Sequence, residues 1–135
     1  MTSSNKHPDA PWRNFYGRVK GKTLRPQQVK MLDEDLDRLS PGPVSCEENP
    51  DREPLDLKTV FGDRPVWLET GFGGGEHMAH MAASYPDVGI IGCEPFLNGV
   101  AMALNQLRER GVDNVRIHPG DVRNLLDVLP AGSLD

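Results

Sequence analysis

Residues 66–77 read Val-Trp-Leu-Glu-Thr-Gly-Phe-Gly-Gly-Gly-Glu-His, an apolar run of strand length set directly against a turn with glycine at 71, 73 and 75. Glycine reaches backbone conformations closed to other residues. It also lets a ligand approach main-chain N–H groups that a Cβ would screen. A strand that breaks into such a turn and then enters a helix is the first unit of an open α/β sheet built around a nucleotide-type ligand. In the dinucleotide pattern G-x-G-x-x-G the third glycine serves helix packing, and here that position is Glu76. From Glu69 the spacing instead reads acidic-x-G-x-G-x-G.

The chain after this turn repeats the strand-helix unit. The spacing predicts a strand over 66–70 and a helix over 75–84 that presents Met78, Met81, Ala82 and Tyr85. Residues 88–93 form a second apolar run, continuous as in a parallel strand covered on both faces, and it ends in Glu94. Leu97, Val100, Ala101, Leu104 and Leu107 mark the next helix, with Arg108 and Arg110 in its last turn before Gly111. A third strand is expected over 114–118, and Asp121 caps a third helix containing Leu125, Leu126 and Leu129. Right-handed crossovers lay such strands side by side in a parallel sheet with their C-terminal ends at one edge, where ligands bind.

Three acids then fall at strand ends: Glu69, Glu94 and Asp121. Glu94 lies 19 residues after Gly75, close to the spacing at which a carboxylate accepts ribose hydroxyls. Asp121 is placed to accept an adenine amino group, and Glu69 to face an ammonium or sulfonium. Such a set repels phosphates and favours a cationic ligand, S-adenosylmethionine over NAD. The cofactor-binding residues expected are therefore Glu69, Gly71, Gly73, Gly75, Glu94 and Asp121. His77 and His80 stand one helical turn apart, but no further ligand pattern makes a metal site of them.

The net charge of −5 conceals an asymmetry: residues 1–32 carry seven Lys/Arg against Asp9 alone, so the remainder carries −11. Residues 1–11 have no apolar period and are expected to be a disordered tail. Residues 12–54 are expected to hold a basic arm, an amphipathic helix and a loop, and residues 55–135 the sheet. In the arm, Trp12, Phe15 and Tyr16 interleave with Arg13, Arg18, Lys20, Lys22 and Arg25, a pattern suited to phosphates and unpaired bases, which makes these five cations the expected RNA contacts. Pro26 opens the helix, and Val29, Leu32, Leu36 and Leu39 form its apolar stripe. A short helical turn is expected over 55–62. Cys46 and Cys93 read as free thiols. With no secretory leader and no run near the roughly 20 apolar residues that span a bilayer, a cytoplasmic protein is expected.

Residues 68–77, Leu-Glu-Thr-Gly-Phe-Gly-Gly-Gly-Glu-His, and 92–99, Gly-Cys-Glu-Pro-Phe-Leu-Asn-Gly, resemble the bacterial tRNA (guanine-N7-)-methyltransferases, and residues 16–22 and 24–28 are similar to that family's N-terminal segment. The resemblance covers about residues 12–135. It implies a Rossmann-like class I methyltransferase sheet, S-adenosylmethionine held by the acids matching Glu69, Glu94 and Asp121, and a guanine of the tRNA variable loop as target. Thr70 departs mildly from the family, which has an aliphatic residue there. A larger departure is that no Pro-Asp-Pro-Trp motif, whose aspartate carries the family's catalytic role, occurs in the 135 residues. The expectation is that the sheet stops before a fourth strand, leaving the edge of the first uncovered. The chain then carries the cofactor-binding half, its catalytic residue lies beyond Asp135, and alone it does not methylate tRNA. Two rival readings stand beside this one: a methyltransferase of another substrate class, and a non-catalytic cofactor- or RNA-binding fragment. Monomer and homodimer are both left open.

Overall fold

A computed structural model describes residues 23–135. The tail and most of the basic arm, with Arg13, Arg18, Lys20 and Lys22, lie outside the described residues. Helix α1 (Pro26–Arg38) and the short α2 (Leu57–Phe61) precede three strand-helix units: β1 (Val66–Thr70) with α3 (Glu76–Ser84), β2 (Gly89–Cys93) with α4 (Leu97–Arg110), and β3 (Val115–His118) with α5 (Val122–Val128). The strands pair in the order β1-β2-β3, all parallel, with Glu69 opposite Gly92 and Cys93 opposite His118. Their C-terminal ends therefore share one edge, as the right-handed crossover rule requires.

Every residue of β2 is buried. Its side chains alternate between two apolar layers. Ile90 joins Met78, Val100, Leu104 and Ile117 beneath α1, α3 and α4, while Ile91 and Cys93 join Val44, Phe61, Leu125 and Val128 beneath α2 and α5. Helices on both faces are what a parallel sheet needs, and they explain the uninterrupted apolar run in the sequence. Asn114, just before β3, is 2% exposed, and its Nδ2 reaches the carbonyls of Ala82, Tyr85 and Val88, tying the end of α3 to the start of β2. Tyr85 itself is half exposed and stacks edge-on against Trp67 rather than entering the core. Leu126 is likewise exposed, leaving Leu125 and Val128 as the buried side of α5.

The apolar stripe expected on α1 is corrected. Val29 is exposed and Leu32 and Leu36 are only partly buried, whereas Met31, Asp35 and Leu39 are buried, at steps of four. The buried face contains a carboxylate because α4 supplies its partner: Arg108 donates from Nε to Asp35 Oδ2 at 2.8 Å and from Nη2 to Oδ1 at 3.1 Å, and Arg38 donates to Oδ1 at 3.2 Å. The turn after α1 then reaches the sheet, since Ile117 N–H donates to Leu39 O at 2.8 Å. At the opposite edge the expectation of an unpaired β1 is also corrected in part. Leu134 forms a parallel bridge with Val66, and Asp135 N–H donates to Val66 O at 2.9 Å.

Hydrogen bonds from Arg108 hold the Asp35 carboxyl below its ordinary value of 3.8, against the opposing effect of burial. A depressed carboxyl contributes stability that is present above the unfolded value and is lost as pH falls through the folded one. Asp35→Asn should therefore lower the urea midpoint at about pH 7, and the gap to the parent should close as pH falls below about 4. A gap independent of pH would remove the ion pair from the stability of the α1–α4 contact.

Candidate functional site

The site begins where β1 runs out. Gly71 N–H donates to Cys93 O at 2.7 Å, extending the parallel ladder by one bond, and the chain then turns through Phe72 to Gly75, whose N–H returns to Phe72 O at 3.0 Å. Gly71, Gly73 and Gly75 have φ of +62°, +60° and +81°, a region that L side chains rarely occupy. Phe72 is buried and anchors the turn, while Gly71 and Gly73 are exposed, with nothing within 4 Å of the position a Cβ would take. The main chain of the turn thus borders open space. Its other side is packed too closely for side chains. A Cβ on Gly75 would lie 2.4 Å from Ala103 Cβ, and one on Gly99 would lie 2.4 Å from Gly73 O. Helix α4 therefore supports the turn from behind.

Glu94 closes the arrangement. It is 8% exposed; its Oε1 accepts Gly73 N–H at 2.7 Å and its Oε2 accepts Phe96 N–H at 3.2 Å. A buried carboxylate is tolerable when main-chain donors replace its water, and here the donors belong to the glycine turn and to the N-cap of α4. The sequence placed Glu94 toward a ligand's ribose, and the structure adds that the same carboxylate fixes the turn.

Asp121 caps α5 by accepting Arg123 N–H at 2.8 Å, and Arg123 Nε lies 3.0 Å from each of its oxygens. Arg123 thus neutralises the acid that the sequence placed near an adenine. Glu69 differs from both. Its Oε1 meets His77 Nδ1 at 3.2 Å, and among the described residues its Oε2 has no hydrogen-bond partner. The three expected acids do stand at one end of the sheet, yet one is bound to main chain, one to a guanidinium, and one has an oxygen without a hydrogen-bond partner among the described residues.

Cys93 lies between them. Burial, then the charges of Asp121 and Glu94, push its thiol up to about 12, and Sγ donates to Gly120 O at 3.3 Å, so it is a structural thiol rather than a nucleophile. His118, at the end of β3, is buried and its pKa is lowered by desolvation, which keeps the ring neutral. His77 and His80 gain no third ligand: among the described residues no group of three His, Cys, Asp or Glu could hold a metal. Arg25 is the one expected RNA contact within the described residues. It is exposed beside a cleft of about 380 Å³ shared with Gln28, Met31, Met102 and Asn105, and Met102 Cε would be 3.2 Å from a Cβ on Gly74.

Two contacts escaped the sequence reading. Arg123 follows the capping Asp121 by two residues, a spacing that was visible; His77 meets Glu69 only because the turn folds α3 back onto the end of β1.

A parallel sheet with a glycine turn after its first strand and acids at its strand ends defines a Rossmann-like methyltransferase fold, here with three strands. The profile of the family described as "Putative methyltransferase" matches residues 63–135, and the chain belongs to that family. Its relatives include proteins named tRNA (guanine-N(7)-)-methyltransferase. The one from Ruegeria pomeroyi is 64% identical over 131 residues, 97% of this chain and 55% of that protein. The one from Cereibacter sphaeroides is 65% identical over 93% of this chain and 53% of its own length, and the one from Rhodospirillum rubrum 47% identical over 94% and 50%. The chain spans about half the length of the curated relatives it matches. A methyltransferase needs a methyl donor, and the open main chain at Gly71 and Gly73 fits one. No helix among the described residues is long and apolar enough to cross a membrane.

Because Gly99 touches the turn itself, Gly99→Ala should push Gly73 away from Glu94 and destabilise the protein by about 1–3 kcal/mol, an overpacking cost. Denaturant midpoints check this, with Gly120→Ala, whose Cβ would meet the imidazole of His118 and not main chain at its nearest contacts, as the comparison. Equal losses would mean that α4 does not press on the turn.

Proposed function

We propose that this chain is the donor-binding part of an S-adenosylmethionine-dependent tRNA (guanine-N7-)-methyltransferase acting in the cytoplasm. The observation that carries the reading is the Gly73–Glu94 clamp beside a carboxylate, Glu69, with an oxygen to spare. The names of relatives at more than 60% identity support the substrate. S-adenosylmethionine, when bound, supplies a methyl group on a cationic sulfur. The chain's own residues do the rest of the donor work: Gly71, Gly73 and Gly75 present main chain without obstruction, Glu94 addresses the ribose while keeping the turn in place, Asp121 borders the base, and Glu69 answers the positive end. A ligand of this kind has no phosphate to be repelled by Glu69 and Glu94.

Guanine N7 has a lone pair and no proton to lose, so the reaction depends on alignment more than on a base. Holding reacting groups in line supplies up to roughly 7–11 kcal/mol in the best intramolecular cases. The aspartate that the family resemblance makes catalytic has no counterpart in these 135 residues, and we assign it to the part of the relatives' length that the match leaves out. Arg13, Arg18, Lys20, Lys22 and Arg25 are assigned to tRNA phosphates. The division into a tail over 1–11, an arm, helix and loop over 12–54, and a donor domain over 55–135 belongs to the same proposal.

Calorimetry with S-adenosylhomocysteine should show Glu94→Ala weakening binding at least about tenfold, because both a ligand contact and the turn's anchor are lost. Glu47→Ala, in an exposed loop, should change it by less than about twofold. Equal effects would end the donor assignment. For the acceptor, the full-length protein should transfer labelled methyl to unmodified tRNA, and charge reversal at Arg18 and Lys20 should flatten the salt dependence of tRNA binding. An unchanged slope would return the arm to a solvated role, and transfer to another substrate class in preference to tRNA would overturn the acceptor.

A further inference from the structure

Among the described residues, one hydrogen bond holds the Glu69 carboxylate. Residue 69 stands next to last in β1 and residue 77 is second in α3, so the glycine turn between them brings His77 Nδ1 to 3.2 Å from Glu69 Oε1. An ionised carboxylate only accepts, which makes Nδ1 the donor. The pair sits on the rim of a cavity of about 640 Å³ whose walls include Trp67, Met81 and Ile90. Asp135 also lines the cavity, Glu76 and His80 lie on the same helix as His77, and no lysine or arginine is among the lining residues. The imidazole therefore orients Glu69 through one oxygen, whereas the Arg123 guanidinium reaches both oxygens of Asp121.

We propose that His77 is a positioning residue for the methyl donor: it fixes the Glu69 carboxylate through Oε1 and leaves Oε2 for the ammonium of the donor's amino-acid end. The inference rests on the donor reading given above. It follows from two general costs. A glutamate ordered before the ligand arrives loses less conformational freedom on binding. A carboxylate already paired with a full positive charge would offer little to a second cation. His77 thus serves the part of the donor that carries charge, and not the adenosine.

The test compares two probes on the full-length protein at pH 8, where an imidazole is neutral. S-adenosylhomocysteine carries the ammonium, whereas 5′-methylthioadenosine keeps the nucleoside thioether and lacks the amino-acid end. His77→Ala should weaken S-adenosylhomocysteine about fivefold, the size of one ordinary net hydrogen bond, and change 5′-methylthioadenosine by less than about twofold. His77→Asn, which returns an N–H near the position of Nδ1, should restore the affinity for S-adenosylhomocysteine. Equal weakening of both probes, or no weakening of the first, would overturn the role of His77. Failure of the unsubstituted protein to bind either probe would instead overturn the donor reading beneath it.

Discussion

The hydrogen bond from Gly73 N–H to Glu94 holds together a turn that has only one anchoring side chain of its own, Phe72. Without that bond the residues between β1 and α3, whose positive-φ positions are all glycine, would sample a wider range of conformations. Helix α4 packs directly against the turn, where a Cβ on Gly99 would lie 2.4 Å from Gly73 O. Helix α4 then carries Arg108 to Asp35, the pair that seats α1, and α1 places Arg25 beside Met102 and the glycine turn. A single carboxylate at the end of β2 therefore ties the turn of the proposed donor site to the start of α4.

Electrostatics divide the site in a way that the acid count alone does not. Glu94 spends its charge on main-chain donors, Asp121 on Arg123, and Glu69 retains capacity for a cation. The proposed ligand would therefore meet a net negative site with its charge concentrated near β1. Cys93 sits between the first two acids with its thiol pushed up to about 12, which removes a competing nucleophile from the proposed donor site.

Much of this was legible in the sequence because it depends on local pattern. The apolar run ending at Cys93, the glycines at 71, 73 and 75, Gly111 as a left-handed helix stop and Asp121 as a cap all appear where spacing put them. What was missed depends on partners distant in the chain. Apolar periodicity assigned Val29 to the buried face of α1 because it cannot recognise that Asp35 has a guanidinium 73 residues away. It grouped Tyr85 with Met78 and Leu126 with Leu125 by spacing, and period alone does not say where the covering layer ends. Among the site residues, position was legible and partnership was not: each of Glu69, Glu94 and Asp121 stands at a strand end, but their commitments to His77, Gly73 and Arg123 require the folded turn and the capped helix.

The most direct measurement is a crystal structure of the protein with S-adenosylhomocysteine. The ligand should lie over Gly71 and Gly73 with its ribose hydroxyls at Glu94 and its amino group at Glu69. A ligand bound elsewhere, with the Gly73–Glu94 turn left untouched, would contradict the assignment of this turn as the donor site.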